Sequence, residues 1–256
     1  MKKQTILLTL CLLVASASLS AQTKVIAHRG YWNIDGSAQN SLTALRRAAE
    51  VDCWGSEFDV WQTSDGELVV FHDSKLGKEY DRPITEMTAE EVRAHRLPNG
   101  ERVPTLAEYL TEALKYPTLH LVFELKPHPT PSQEREAVAK GVQMVEDMGL
   151  ANRTDYISFS LAACREFHRV APAAKVFYLN GNLSPKELKT EGFAGPDYNF
   201  AIFELHPSWI EESRSLGLET NVWTVNNDSL IRRFAKKGVD YITTNRPEEA
   251  LEIVEN

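Results

Sequence analysis

Two acidic residues, Glu57 and Asp59, stand one residue apart, and His72 follows shortly after an Asp65-Gly66 pair. Asp-Gly is the strongest short hairpin signal, because a type I′ turn needs positive φ at both central residues. The flanks 58–63 and 68–72 are rich in β-branched, aromatic and apolar residues, as paired strands require. With 65 and 66 as the turn, Asp59 faces His72 across the ribbon, and Glu57 shares that side. Two carboxylates and an imidazole then converge on one patch. A solvated hairpin with a polar face is the alternative that this stretch alone leaves open.

Other residues extend the pattern. Glu124 and Lys126 are again two apart and share a face, and His28-Arg29-Gly30 ends a short apolar run. Glu57, Asp59 and Glu124 are three hard oxygen ligands, suited to Mg²⁺ or Ca²⁺ rather than zinc. His28 and His72 titrate near neutral pH and are the natural general acid and base. Arg29 offers a planar fork to phosphate and Lys126 a point charge. A metal, two cations and two imidazoles describe a site that hydrolyses a phosphate ester.

The elements that must position these groups alternate. Strands are expected over 24–27, 55–60, 119–126, 156–160, 175–179, 200–205, 220–225 and 241–243, each followed by a helical segment. Helix starts are announced by Thr88 with Glu91 and Thr105 with Glu108 as capping boxes, by Ser132, and by Ser184-Pro185. Gly217 and Gly238 mark helix ends. Eight βα units in about 235 residues predict a closed (β/α)₈ TIM barrel, with a β-hairpin after strand two and a small insertion over about 74–104 before strand three. Active sites of such barrels lie at the carboxyl ends of the strands. Polar residues there are His28, Arg29, Glu57, Asp59, Glu124 and Lys126, with Ser158 and Ser160 after strand four, Glu204 and His206 after strand six, and Asn226 after strand seven.

Composition narrows the classes. The chain is 43% hydrophobic and 25% charged, ordinary for a globular protein. Residues 1–21 read as an export signal: Lys2 and Lys3, an apolar run over 6–17 containing Cys11 as part of its core, then small residues up to Ala21. The run is too short for a comfortable membrane span, so an exported (periplasmic or secreted) domain over 22–256 without stable membrane insertion is expected. Losing the two lysines moves the formal charge from −8 to −10, which argues against nucleic acid as a partner. Cys53 and Cys164 then remain, and both are expected to be free and buried.

The combination of His28-Arg29-Gly30, Glu57-x-Asp59, Thr63-x-Asp65-Gly66, His72-Asp73, Val103-Pro104-Thr105-Leu106, Glu124-x-Lys126, Trp223-Thr224-Val225-Asn226 and Thr243-Thr244-Asn245-Arg246-Pro247 resembles the glycerophosphodiester phosphodiesterase family. The resemblance spans roughly residues 25–250. It implies a TIM barrel that cleaves a small-molecule glycerophosphodiester to an alcohol and glycerol 3-phosphate. It also implies a divalent metal on Glu57, Asp59 and Glu124, acid–base catalysis by His28 and His72, and substrate binding by Arg29, Lys126 and Trp223. Two positions depart from the family pattern: Gln39 and Asn245 stand where acids are usual. A lyase or phospholipase D-like activity on intact lipid is the second enzyme reading, and a non-catalytic phosphodiester-binding barrel is the third. The lipid reading needs an apolar approach surface, which the charged composition of 74–104 does not advertise.

Overall fold

The structure, a computed structural model, describes residues 22–255; the segment 1–21 that reads as an export signal, Cys11 included, lies outside the described residues. Nine strands form one sheet: β1 (Lys24–Ala27), β2 (Gly55–Gln62), β3 (Leu68–Val70), β4 (His120–Leu125), β5 (Thr154–Ser158), β6 (Val176–Tyr178), β7 (Gly195–Asn199), β8 (Asn221–Trp223) and β9 (Tyr241–Thr244). All but β3 pair in parallel, and β1 pairs with both β9 and β2, which closes an eight-stranded barrel. The helices are α1 (Leu42–Glu50), α2 (Ala89–Ala94), α3 (Leu106–Ala113), α4 (Pro131–Asp147), α5 (Leu161–Val170), α6 (Pro185–Glu191), α7 (Phe200–Leu205), α8 (Trp209–Ser215), α9 (Asp228–Lys237) and α10 (Pro247–Glu255). The TIM-barrel expectation is met.

The core falls into three parts. The main one lies between sheet and helices, with Phe58, Leu121, Phe123, Tyr156, Val222 and Ile242 facing residues such as Leu45, Phe167 and Phe234. Each large side chain buried there contributes roughly 1.5–3 kcal/mol. A smaller cluster of Ile26, Val122, Ile157, Phe177, Leu179 and Tyr241 fills the barrel interior. A third, with Trp61, Val69, Leu76, Ile84, Met87, Val92, Leu97 and Val103, anchors the insertion to the hairpin. Capping fixes several helix starts as expected: Thr88, Thr105 and Ser184 each form full capping boxes. α4 is capped by Thr130 rather than Ser132, because Pro131 occupies the first helical position and leaves the preceding threonine as the cap.

Two further expectations are corrected. The hairpin turns over three residues, 64–66, rather than two. Thr63 N donates to Glu67 O, and Gly66 sits at φ 81°, the left-handed position that closes a type I turn with a bulge. Val60 therefore pairs with Val70, and Phe71 N donates to Asp59 O, so Phe71 and not His72 lies opposite Asp59. The second correction is strand six. The apolar run 200–205 is the helix α7, capped by the Asn199 side chain on Ala201 N, and the strand is β7 just before it. A short apolar run does not distinguish strand from helix by periodicity. The true strand begins with Gly195-Pro196, ordinarily turn residues. Glycine is required there, because a Cβ at 195 would lie 1.8 Å from the carbonyl oxygen of Glu219.

Candidate active site

At the carboxyl ends of the strands, one cleft enclosing about 470 Å³ is lined by His28, Arg29, Glu57, His72, Glu124, Lys126 and Trp223 among others. Seven of the eight proposed site residues thus line a common space. The eighth, Asp59, is buried directly behind it, bonded to Lys126 Nζ at 2.7 Å. The register explains the convergence. Asp59 and Glu124 are paired neighbours on β2 and β4, and Glu57 precedes Asp59 by one pleat. Oxygen atoms of all three carboxylates lie within 4.8 Å of one another.

Electrostatics divide the three acids. Burial pushes Glu57 well above the ordinary range, and Asp59 and Glu124 push the same way. Burial and Asp59 raise Glu124 to about 7. Burial would raise Asp59 too, but Lys126, His72 and Arg29 outweigh it and hold the carboxyl at about 2. Lys126 bridges Asp59 Oδ1 and Glu124 Oε1, each at 2.7 Å. Although burial works against its charge, the two carboxylates keep it firmly protonated. Arg29 Nε lies 3.7 Å from Asp59 Oδ2, too far for a hydrogen bond.

Three residues lining the cleft, Arg29, Glu57 and Asp197, each carry a buried polar atom without a partner, and the first two bear on the acidic cluster. Glu57 Oε1 and Arg29 Nε have no hydrogen-bond partner. Buried polar atoms are rarely orphaned, and here one is an acceptor beside two further carboxylates and the other a donor at the cleft. The first matches a cation and the second an anion. The donor set, three clustered carboxylates with an unused oxygen, fits a hard divalent cation.

The two histidines are held differently. His28 follows β1, and its Nδ1 lies 2.8 Å from Asn245 Oδ1, which also accepts from Trp32 Nε1 at 3.2 Å. An indole N–H only donates, so that amide atom is oxygen, and His28 must present Nδ1–H to it. His28 Nε2 is then the bare nitrogen, 4.0 Å from Glu57 Oε2. Burial, followed by Arg29, lowers the His28 pKa to about 4. His72 instead pairs through Nδ1 with the carboxylate of Asp73 at 2.6 Å. Burial lowers its pKa as well, against the opposing pull of Asp59. Gln39 accepts from Arg29 Nη1 at 2.6 Å, so the neutral residue at this position orients the guanidinium.

Several residues escaped the sequence reading. Asn40 donates to Asp59 Oδ2 at 2.8 Å and accepts from Asp59 N, which fixes that carboxylate on both sides. Its φ of 60° is a left-handed position that asparagine adopts more readily than most residues. Asp197 on β7 lines the cleft and was hidden by the misplaced strand. Other strand-end residues have structural tasks. Ser158 donates to Leu125 O, Ser160 caps α5, and Asn226 accepts from Asn245 N. Glu204 pairs with Arg233, and His206 stacks on Trp209 at 4.0 Å, neither lining the cleft. Trp223 does line it, with its Nε1 bonded to Asp197 O at 2.8 Å and its ring edge-on to Phe159.

A second cleft of about 1100 Å³ adjoins the first, between the loop after β1 and the insertion. Apolar Trp32, Ile34, Phe71, Leu76, Leu97 and Pro98 line it together with polar Asn33, Asp35, Ser37, Gln39 and His95. The insertion thus presents an apolar face that its charged composition concealed.

The family model for glycerophosphoryl diester phosphodiesterases matches residues 28–249. The chain belongs to that family. This phosphodiesterase is 28% identical over 248 residues to a glycerophosphodiester phosphodiesterase of Caldanaerobacter subterraneus, covering 91% of this chain and 98% of the relative. A crystal structure of a glycerophosphodiester phosphodiesterase from Parabacteroides distasonis is 49% identical, with TM-score 0.88 over 91% of this chain and 97% of that one. An Oleispira antarctica phosphodiesterase solved with the product sn-glycerol-3-phosphate shares the fold, at 23% identity and TM-score 0.78 over 92% of this chain and 98% of that one.

Proposed function

We propose that this phosphodiesterase hydrolyses glycerophosphodiesters to an alcohol and glycerol 3-phosphate. One observation carries the reading: the orphaned Arg29 donor and the carboxylate triad with its orphaned oxygen face one cleft that two histidines enter from different strands. Glu57, Asp59 and Glu124 hold a divalent cation, Mg²⁺ or Ca²⁺, which when bound supplies positive charge to the phosphoryl oxygens. Arg29 offers its free Nε–H to the same oxygens. Lys126 spends two of its three N–H bonds on Asp59 and Glu124, leaving the third for the phosphate.

The substrate carries its own nucleophile, the hydroxyl on the carbon next to the phosphoester, which gains from proximity. His28, with Nε2 bare, takes the proton of that hydroxyl as its oxygen bonds to phosphorus. The phosphorus–alcohol bond breaks, and His72, oriented through Nδ1 by Asp73, gives its Nε2 proton to the departing alcohol. Water then opens the five-membered cyclic phosphate. His72 accepts the water proton and His28 returns its proton to the ring oxygen. The second cleft, lined by both apolar and polar side chains, takes the departing alcohol. A diester lacking the neighbouring hydroxyl should bind and turn over very slowly. If it is hydrolysed as fast as glycerophosphocholine, direct attack by water replaces the cyclic route.

The composition of residues 1–21 supports export with cleavage near Ala21, leaving a periplasmic or secreted enzyme. Intact mass of the protein recovered from its native compartment tests this, and residues 1–20 retained would contradict it.

A further inference from the structure

Asp197 sits at mid-strand in β7, paired in register with Asn221 of β8, and is 1% exposed. It lines both the catalytic cleft and the small cavity among Ile26, Val122 and Phe177 beneath it, so it forms part of the cleft floor. Charge in a barrel interior ordinarily has a partner. Among the described residues no cation pairs with this carboxyl. Asn221 gives it one hydrogen bond. Asn221 is otherwise engaged with Thr243, its Nδ2 2.9 Å from Thr243 Oγ1. The other oxygen, Oδ1, is buried with no partner. The surrounding cleft wall is apolar, made by Ile157, Phe159, Leu179 and Trp223.

A buried, half-satisfied carboxyl on a cleft floor needs a ligand group, and its setting defines the class. With no cation beside it and the phosphate-directed donors gathered around β1, β2 and β4, the floor is not a second anion site. Burial raises this carboxyl to about 8, so near neutral pH it is mostly uncharged and does not repel a diester. A neutral hydroxyl on a short carbon skeleton suits such a place. The hydroxyl completes the hydrogen bonding of Oδ1 while the skeleton lies on Trp223 and Leu179.

Resting on the reading above, we propose that Asp197 binds the terminal hydroxyl of the glycerol moiety and so defines the glycerol end of the substrate site. Seating that hydroxyl on the floor turns the middle hydroxyl toward His28. Asp197 would then select glycerol over other diol backbones.

The test is a substrate–variant cycle. Glycerophosphocholine is compared with its analogue in which the terminal glycerol hydroxyl is replaced by hydrogen, on the wild type, Asp197→Ala and Asp197→Asn, with divalent cation present. Losing a hydrogen bond to a buried polar group should lower kcat/KM of the wild type on the analogue roughly 10–100-fold. Asp197→Ala should lose a similar factor on glycerophosphocholine and little more on the analogue, so the two losses do not multiply. Asp197→Asn keeps the shape and an acceptor and should recover part of the loss. If Asp197→Ala does not fold, wild type and Asp197→Asn carry the comparison, with the ratio between the two diesters expected to narrow in the asparagine variant. Equal losses on both diesters, or an unchanged ratio, overturn the proposal and make Asp197 a purely structural group. A wild type that hydrolyses neither diester refutes the proposed function itself.

Discussion

Removing Lys126 should expose how much the acidic cluster depends on a cation. Its ammonium lies 2.7 Å from Asp59 and 2.7 Å from Glu124, and all three side chains are less than a tenth exposed. Deleting one partner of a buried ion pair costs about 3–5 kcal/mol, because the remaining charge is left uncompensated. Glu124, already lifted to about 7, can escape part of that cost by taking a proton. Asp59 keeps the Asn40 hydrogen bonds and the distant Arg29. We therefore expect Lys126→Met to lie toward the lower end, about 3 kcal/mol, which for a domain of this size is a fall in Tm of roughly 6–12 °C under chelator. A divalent cation at a hundred times its Kd for the variant should raise the variant by about 2.7 kcal/mol above its own chelated state, close to the whole loss. The assay is thermal unfolding by circular dichroism for wild type and Lys126→Met, each in EDTA and then in excess Mg²⁺ or Ca²⁺. The double variant Lys126→Met/Glu124→Gln should recover part of the chelated deficit without metal. A chelated Tm within 2 °C of wild type, or a variant whose Tm neither cation raises above its chelated value, would refute the electrostatic account of the cluster.

Two further outcomes follow from hydrogen bonds and titration. Asn245→Leu removes the acceptor that holds His28 Nδ1–H. It should lower kcat about 10–100-fold with KM little changed, and the His28 nitrogen resonances should show mixed tautomers; unchanged resonances would contradict the assignment. Asp197 has a folded-state pKa of about 8, above its unfolded value, so the folded state holds the extra proton between about pH 4 and pH 8. Its contribution is therefore fully present below that window and lost as pH rises through it. Relative to Asp197→Asn, the wild type should lose on the order of a few kcal/mol over that range in urea unfolding. Parallel stability curves for the two proteins would contradict the buried, cation-free carboxyl.

Most of the site was legible because its residues sit in pairs on strands, where charge needs a reason. Glu57 with Asp59 on β2 and Glu124 with Lys126 at the end of β4 each repeat at the pleat period, and Asp59 lies level with Glu124 across the two strands. The hairpin was legible in kind but not in register. Asp-Gly serves both a two-residue turn and the second half of a three-residue turn, and the difference of one residue moves His72 out of the pair with Asp59. Strand six was illegible for a different reason. Its start uses Gly195 and Pro196, imposed by the carbonyl of Glu219 on the neighbouring chain segment, a tertiary contact with no local signature. Asp197 disappeared with it. The functions of Asn40 and Asn245 depend on which atoms they meet across long sequence separations, so their types alone did not distinguish them from turn residues.

The groups that share this cleft should release glycerol 3-phosphate only with a divalent cation present. The most direct test follows glycerophosphocholine by ³¹P NMR with the purified protein, in Mg²⁺ or Ca²⁺ and again after EDTA, alongside His28→Ala and His72→Ala. The account predicts conversion to glycerol 3-phosphate and choline, arrested by chelator, restored by cation, and slowed about 10²–10⁴-fold in each histidine variant. Full activity in EDTA, phosphocholine as the product, or a histidine variant that turns over at the wild-type rate would contradict it.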